Sequence, residues 1–318
     1  MNDFIHLNTK SDYSLSEGAL TIQKIADLCA DNNMPAIAVT DNNNLFGALE
    51  FSETISKAGI QPIIGAKIRI KTPNQYVIDP ENDHNNYFCI NLLSKNDRGY
   101  ENLLFLNSIS YTRHSSDNAF ITLEQLFAHK EGLILLTGGY ENIFNNLLFH
   151  NKYDWANSLL NNIKDEFNSN MYIEIQRIGD PVQIQSEKLL LKLSYQNEIP
   201  LVATNEVCFE NPDYYNAHEA LLCIDKKEYL SQANRQKFPK ETYFKSSEEM
   251  LETFIDLPEA IQNTIEIAKR CSSRPKPKEP TLPNFSTKDK SENDILIEDA
   301  KRGLQRRLEF KFDIESIV

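Results

Sequence analysis

Four stretches of this 318-residue chain combine residue types that could do chemistry: HLNTKSDYS (6–14), TDNNNLFG (40–47), GAKIRI (65–70) and ATNEVCF (203–209). Each sits at the carboxyl end of a strand-like run, where an α/β barrel gathers its site. In the first, Phe4, Ile5, His6, Leu7 and Asn8 alternate as a strand does, so Asn8 and Lys10 project together. Two histidines at that spacing could share a divalent cation. An amide is a poor ligand, and an ammonium competes with the cation itself. Asp41 follows the apolar run IAV and has two readings, a catalytic carboxylate or the cap of a helix starting near Leu45. Glu206 and Cys208 are two apart and could face one site, or be a surface acid beside a buried thiol. His6 is a candidate ligand, although a lone histidine on a strand is more often hydrogen-bonded structure. His218, set in AHEALLCI, reads as structural. The sequence holds no Gly-rich phosphate loop, no HExxH and no nucleophile elbow.

Strand-like and helix-like segments alternate to position these stretches. Candidate strands are 4–8, 35–40, 60–70, 87–93, 132–137, 171–176 and 199–204. Several are short continuous apolar runs, which suits a parallel sheet buried on both faces. Helical spacing recurs over 21–33, behind Thr21 as a cap, and over roughly 46–58, 97–112, 141–150, 154–166 and 184–197. Seven βα units closing on themselves would make a barrel, and an open doubly wound sheet is the competing arrangement. After residue 209 the rhythm changes to helices at 214–225 and 246–271. The four prolines of SSRPKPKEPTLPNF (272–285) forbid regular structure and predict a linker or extended strap. An amphipathic helix resumes at 291–310. Ending at Val318 in mid-pattern, the chain is expected to be a fragment.

Composition narrows the function. Hydrophobic residues at 41% supply a packed core. With no apolar run of membrane-spanning length and no signal peptide, a cytoplasmic protein is expected. Five scattered cysteines (Cys29, Cys89, Cys208, Cys223, Cys271) include no CxxC pair, so neither a disulfide framework nor a zinc ribbon is indicated. Net charge is −13, and residues 271–318 carry ten Lys and Arg against nine Asp and Glu, which leaves −14 on residues 1–270. Such a surface repels phosphate backbone, so little or no direct DNA binding is expected there.

The order of several longer stretches carries a resemblance. SDYSLSEGAL (11–20), AVTDNNNLFGALEF (38–51), GIQPIIGAKI (59–68), LLSKNDRGYENLL (92–104), IPLVATNEVCF (199–209), AHEALLCI (217–224), YFKSSEEM (243–250) and NTIEIAKRC (263–271) resemble the N-terminal region of bacterial DNA polymerase III alpha subunits. That region is a PHP (polymerase and histidinol phosphatase) domain. The resemblance implies a distorted (β/α)7 barrel over 1–210, a helical extension over 211–271, a Pro-rich linker over 272–290 and the start of the polymerase body over 291–318.

Intact members of this family hold a metal cluster on nine ligands and hydrolyse phosphate esters. The resemblance places the paired histidines at Asn8 and Lys10, the Asp-His pair at Asp41 and Asn42, and the glutamate at Lys67. The next histidine falls on Cys89, a cysteine on Gly139, and the final Asp and His on Glu206 and Cys208. Asp41 alone is kept, with Glu206 a similar acid. The implied site is degenerate: no metal is expected, nor any catalytic residue, and Lys10 and Lys67 are expected to neutralise Asp41 and Glu206. The resemblance further implies a docking platform for the proofreading exonuclease subunit, joined to the remainder of the polymerase chain. The Mg2+ ions of the parent polymerase belong to a palm domain whose motifs this chain lacks. The alternative is a metal-dependent phosphoesterase with a reduced site on Asp41, Glu206, Cys208 and His6.

Overall fold

The computed structural model describes residues 4–79, 86–112, 119–139, 142–232, 235, 237–282, 285 and 290–315, the side chains of 310–315 excepted. Six strands, β1 (Ala36–Asn42), β2 (Gln61–Lys71), β3 (Tyr87–Ser94), β4 (Leu133–Leu136), β5 (Met171–Gln176) and β6 (Leu201–Thr204), form one curled sheet in sequence order. Extended residues 4–10 lie between its two ends. The amides of Ala38 and Thr40 donate to the carbonyls of His6 and Thr9, both at 2.8 Å. On the other side Lys10 N donates to Val207 O (2.9 Å) and Val207 N to Asn8 O (3.1 Å). The strand expected at 4–8 is therefore an irregular seventh segment. Its partner on one side is residue 207, beyond the end of β6, so a regular ladder cannot form.

The expected succession of parallel units fails at β3. β1–β2, β4–β5 and β5–β6 are parallel, but β3 runs antiparallel to both neighbours. Between β2 and β3 the described residues hold no α-helix, and a short 3-10 turn lies at Asn74–Tyr76. A parallel return needs a crossover of a dozen or more residues, usually a helix, whereas an antiparallel one does not.

Helices α1 (Ile22–Asp31), α2 (Ala48–Lys57), α3 (Asp97–Thr112), α4 (Leu123–Ala128), α5 (Ile143–Phe149), α6 (Tyr153–Phe167) and α7 (Pro181–Gln196) connect the strands. Thr21 caps α1 as expected, accepting from Lys24 N at 3.2 Å. The period of two along each strand separates two cores. One strand face packs Ile37, Val39 and Ile64 under α1 and α2, and Ile68, Ile90, Leu92, Leu135, Ile173 and Ala203 under the other helices. The opposite face turns inward. At its foot it is apolar, with Ala36, Ala38, Ile63, Leu93, Ile134, Leu136, Tyr172 and Val202 in one cluster.

Three further helices, α8 (Tyr215–Lys226), α9 (Ser247–Thr253) and α10 (Pro258–Arg270), follow the last strand. The expected helix over 246–271 is split because Pro258 cannot continue a helix and instead starts one. Met250, Phe254, Leu257, Ala260 and Ile261 join the main core, while Ile267, Ala268 and Cys271 plug the barrel foot. Residues 211–271 thus pack as part of the barrel body. Residues 272–276 extend along its side, with Ser272 N on Lys95 O (3.0 Å), Ser52 Oγ on Pro275 O (2.7 Å) and Arg274 on Glu53 (3.1 Å). The chain divides into units Met1–Lys276 and Pro277–Val318. In the second, α11 (Glu292–Glu315) carries exposed Leu296, Ile297, Leu304 and Leu308 and a Lys290–Glu298 ion pair at 2.6 Å. Among the described residues no helix is long and apolar enough to cross a membrane.

Candidate functional site

Strand register decides which polar residues meet. Asn42 lies opposite Lys67, and Lys67 opposite Asn91, so all three share the inward face. Asp41, one residue before Asn42, faces the other way and lies opposite Ala66. A barrel whose inner face is apolar at the foot therefore becomes polar towards the carboxyl ends of β1 and β6.

At the centre is Glu206, two residues past β6 and fully buried. Its Oε1 takes Lys10 Nζ at 2.7 Å and Lys67 Nζ at 2.8 Å. Lys10 also reaches Glu17 Oε2 at 2.6 Å, and Asn42 Nδ2 donates to the same oxygen at 2.6 Å. The lysine side chains are 1% and 2% exposed, so these contacts are shielded from solvent. Burial opposes the charge of Glu206, but Lys10 and Lys67 outweigh it and hold its pKa below the ordinary value. Burial likewise opposes the Lys10 ammonium, and Glu17 with Glu206 outweighs it, raising its pKa well above that of a free lysine. Glu17 is held down at about 2 against its burial by Lys10 and Lys67. Its side chain is 38% exposed, so solvent screens much of that effect.

A second polar layer lies beneath, around the buried Glu174. Asn8 Nδ2 (3.1 Å), Gln176 Nε2 (3.1 Å) and Thr204 Oγ1 (2.5 Å) donate to its Oε1, and Asn91 Nδ2 (2.9 Å) to its Oε2. Thr40 Oγ1 in turn donates to Asn8 Oδ1 at 3.1 Å. Burial raises the Glu174 pKa, and these donors only partly offset it. Gly139 adjoins this layer: a Cβ there would fall 2.1 Å from Gln176 Oε1.

The expected pairing of Asp41 with a lysine is corrected. Asp41 Oδ1 accepts from Ser11 N (2.8 Å) and Ser14 Oγ (2.6 Å), and Oδ2 from Ser11 Oγ (2.7 Å). It does not cap α2 either, whose N-cap is Gly47. Its office is to fasten the loop after residue 10, and burial raises its pKa despite the serines. His6 Nε2 bonds Lys245 O at 2.9 Å, between the rings of Phe4 and Phe244, and burial lowers its pKa to about 4. His218 Nε2 bonds Glu17 O at 2.6 Å. Burial pushes the Cys208 thiol up to about 12, so it stays protonated. Cys89 lies opposite Arg69 on β3, with its carbonyl against Gly138.

Two residues of the site were not anticipated. Glu174 had a sequence signal, a single acid inside the apolar strand MYIEIQ. Glu17 had none, since it reaches the cluster only through the turn at 11–18. A divalent metal does not fit this donor set: two ammonium groups occupy the central carboxylate. Among the described residues no three His, Cys, Asp or Glu side chains converge as metal ligands.

The curled mixed sheet, its outer helices and the polar mouth at the strand ends define a distorted α/β barrel. A sequence model of the PHP domain matches residues 6–178, and the chain belongs to that family. Curated relatives named DNA polymerase III subunit alpha are similar over nearly all of it. That of Rickettsia bellii (strain RML369-C) is 39% identical over 99% of this chain and 26% of its own length. The Caulobacter vibrioides relative is 39% identical over 96% and 27%, and that of Haemophilus influenzae 34% identical over 99% and 26%. The chain thus spans about a quarter of the length of these relatives. Among solved structures, an amidohydrolase from Chromobacterium violaceum covers 68% of this chain and 96% of its own at 11% identity and a TM-score of 0.42, too distant to inform on function.

Proposed function

We propose that the chain is the N-terminal PHP region of a DNA polymerase III alpha subunit, and that its barrel is a non-catalytic scaffold that docks the proofreading exonuclease subunit. The observation that carries this reading is the Lys10–Glu206–Lys67 cluster, at 2.7 and 2.8 Å, where the family resemblance places metal ligands. Ammonium groups there do for the carboxylate what a cation would do, without offering an open coordination position. Polymerization, with its Mg2+ ions, falls to the remainder of the parent chain in the cytoplasm. The −14 charge on residues 1–270 supports a protein partner over DNA.

A reduced phosphoesterase site is not favoured. Asp41 is occupied by serines, Glu206 by lysines and His6 by a backbone carbonyl, and Cys208 is a protonated thiol. The test is a pair of titrations of this chain, one with the cognate exonuclease subunit and one with primed DNA at ~150 mM salt. Micromolar or tighter exonuclease binding with weak DNA binding is expected. Tight DNA binding without exonuclease binding would overturn the reading. Elemental analysis is expected to find no stoichiometric transition metal, and p-nitrophenyl phosphate turnover with added Mn2+ or Zn2+ is expected to stay at background.

A further inference from the structure

We infer that the rim loop at residues 11–16 and the segment 43–50, a loop running into the first turn of α2, form a docking surface for a cationic segment of a protein partner that carries apolar anchors. The inference rests on the scaffold reading, and it names the face and the chemistry of what is held. Leu15 is 79% exposed, Phe46 70% and Leu49 43%. One exposed apolar side chain is ordinary, but several grouped together mark a contact surface.

The two segments form one surface. Tyr13 Oη donates to Glu50 Oε2 at 2.8 Å, and Asn44 Nδ2 donates to Tyr13 O at 3.0 Å. The Tyr13 ring lies so close to Gly47 that a Cβ there would fall 2.6 Å from it. The loops are also held from below. Asp41 fixes Ser11 and Ser14, Asn42 N donates to Ser14 Oγ (3.2 Å), and Phe46 N donates to Asn44 Oδ1 (3.2 Å). Ser16 and Asn43 stand at φ +66° and +46°, conformations that side chains rarely adopt unless their surroundings impose them. Apolar tips on over-determined loops lose little entropy when they are covered.

Charge selects the occupant. Residues 11–23 and 41–56 contain five acids and no Lys or Arg. Asp41 is held by serines, Glu17 by Lys10 and Glu53 by Arg274, and Glu50 accepts the neutral hydroxyl of Tyr13, which leaves its charge without a cation among the described residues. Asp12 and Glu50 remain beside the apolar tips, close enough that Glu50 adds to the effect of burial in raising the Asp12 pKa. Neighbouring like charges are relieved by a cation from outside. A second copy of this face would repeat the acids, and nucleic acid would bring phosphates.

The test selects a phage-displayed random peptide library on this chain, followed by fluorescence titration of the enriched peptides. Peptides that pair Lys or Arg with a large apolar residue are expected. Their affinity is expected to fall at least tenfold on Leu15→Ser/Phe46→Ser and on Asp12→Lys/Glu50→Lys, and to weaken with salt. These side chains are exposed, and a thermal melt confirms that each variant folds. Enrichment of acidic peptides, no enrichment, or equal binding to both variants would overturn the inference. So would self-association or primed-DNA binding that Leu15→Ser/Phe46→Ser abolishes. A parallel titration of the exonuclease subunit separates the two readings. Equal binding to wild type and Leu15→Ser/Phe46→Ser removes this surface and leaves the scaffold. Binding to neither removes the exonuclease partner, and the peptide arm still decides the surface.

Discussion

Replacing Lys67 by Met is expected to cost about 2–3 kcal/mol of stability and no catalysis. Met keeps the length of the lysine stem, so packing is preserved and only the ammonium is lost. Glu206 then retains Lys10 at 2.7 Å and loses the second donor at 2.8 Å. A hydrogen bond to a charged group contributes about 1.5–3 kcal/mol, whereas a buried charge left wholly unpaired costs about 3–5 kcal/mol. The retained Lys10 places Lys67→Met towards the lower range. The protein has little reserve, because Glu206 Oε2 is already without a partner. Glu206→Gln removes the carboxylate from two buried ammonium groups and should cost more. In a unit of this size the Lys67→Met loss lowers Tm by roughly 3–5 °C.

The pH dependence has a definite sign. Glu206 and Glu17 have depressed folded pKa values, so their stabilisation is present above the unfolded value of 4.5 and is lost as pH falls through the folded ones, about 2 for Glu17. Lys10 is raised, so its share is present below 10.5 and is lost only as pH climbs beyond that. The Lys67→Met deficit should therefore be constant between about pH 5 and 9 and shrink in acid. Urea melts and circular dichroism across that range measure it. A Lys67→Met Tm within error of wild type, or a Glu206→Gln variant milder than Lys67→Met, would refute the reasoning.

Three further outcomes follow from the same geometry. His6 is lowered to about 4, so the unfolded chain takes up the proton first, and about 3 kcal/mol of stability should disappear between pH 6.5 and 4. His6→Gln should flatten that slope in urea titrations, leaving the contribution of His218, whose pKa burial also lowers, and an undiminished slope would refute the assignment. Asp41→Asn exchanges charge-assisted bonds from Ser11 and Ser14 for neutral ones and should cost about 1–2 kcal/mol, with faster proteolysis within 11–18 as the local readout. Gly138→Ala places a Cβ 2.1 Å from Cys89 O at φ +82°, while Gly59→Ala at φ +78° meets nothing within 4 Å. Gly59→Ala should cost about 1–2 kcal/mol from conformation alone and Gly138→Ala clearly more, so equal urea midpoints would count against the close approach.

Local pattern carried much of the architecture. Apolar runs locate β1 to β6, helical spacing locates α1 to α3 and α5 to α8, and Thr21 caps α1 as its residue type and place predict. The short α4 escaped notice although Thr122 and Gln125 form a capping box, because six residues are too few to display a period. The direction of β3 also escaped, since an apolar run looks the same in either orientation. Pairing with both neighbours in the assembled sheet decides it.

The sequence by itself determined the family and the residue types that stand at the family's site positions. Residue types at Asn8, Lys10, Asn42 and Lys67 can be read without coordinates, and neither an amide nor an ammonium makes a metal cluster. Tertiary structure alone decided which charges meet. Lys67 and Glu206 are 139 positions apart, and barrel closure brings them to 2.8 Å. Asp41 adjoins Asn42 in the chain yet is turned away from the lysines, because successive side chains on a strand point to opposite faces. Glu17 enters the cluster through a turn whose path follows from the hydrogen bonds at Asp41. Periodicity reports a residue's face relative to its own neighbours. Register between strands assigns that face to the inside or the outside, and it is fixed only when the whole sheet has closed.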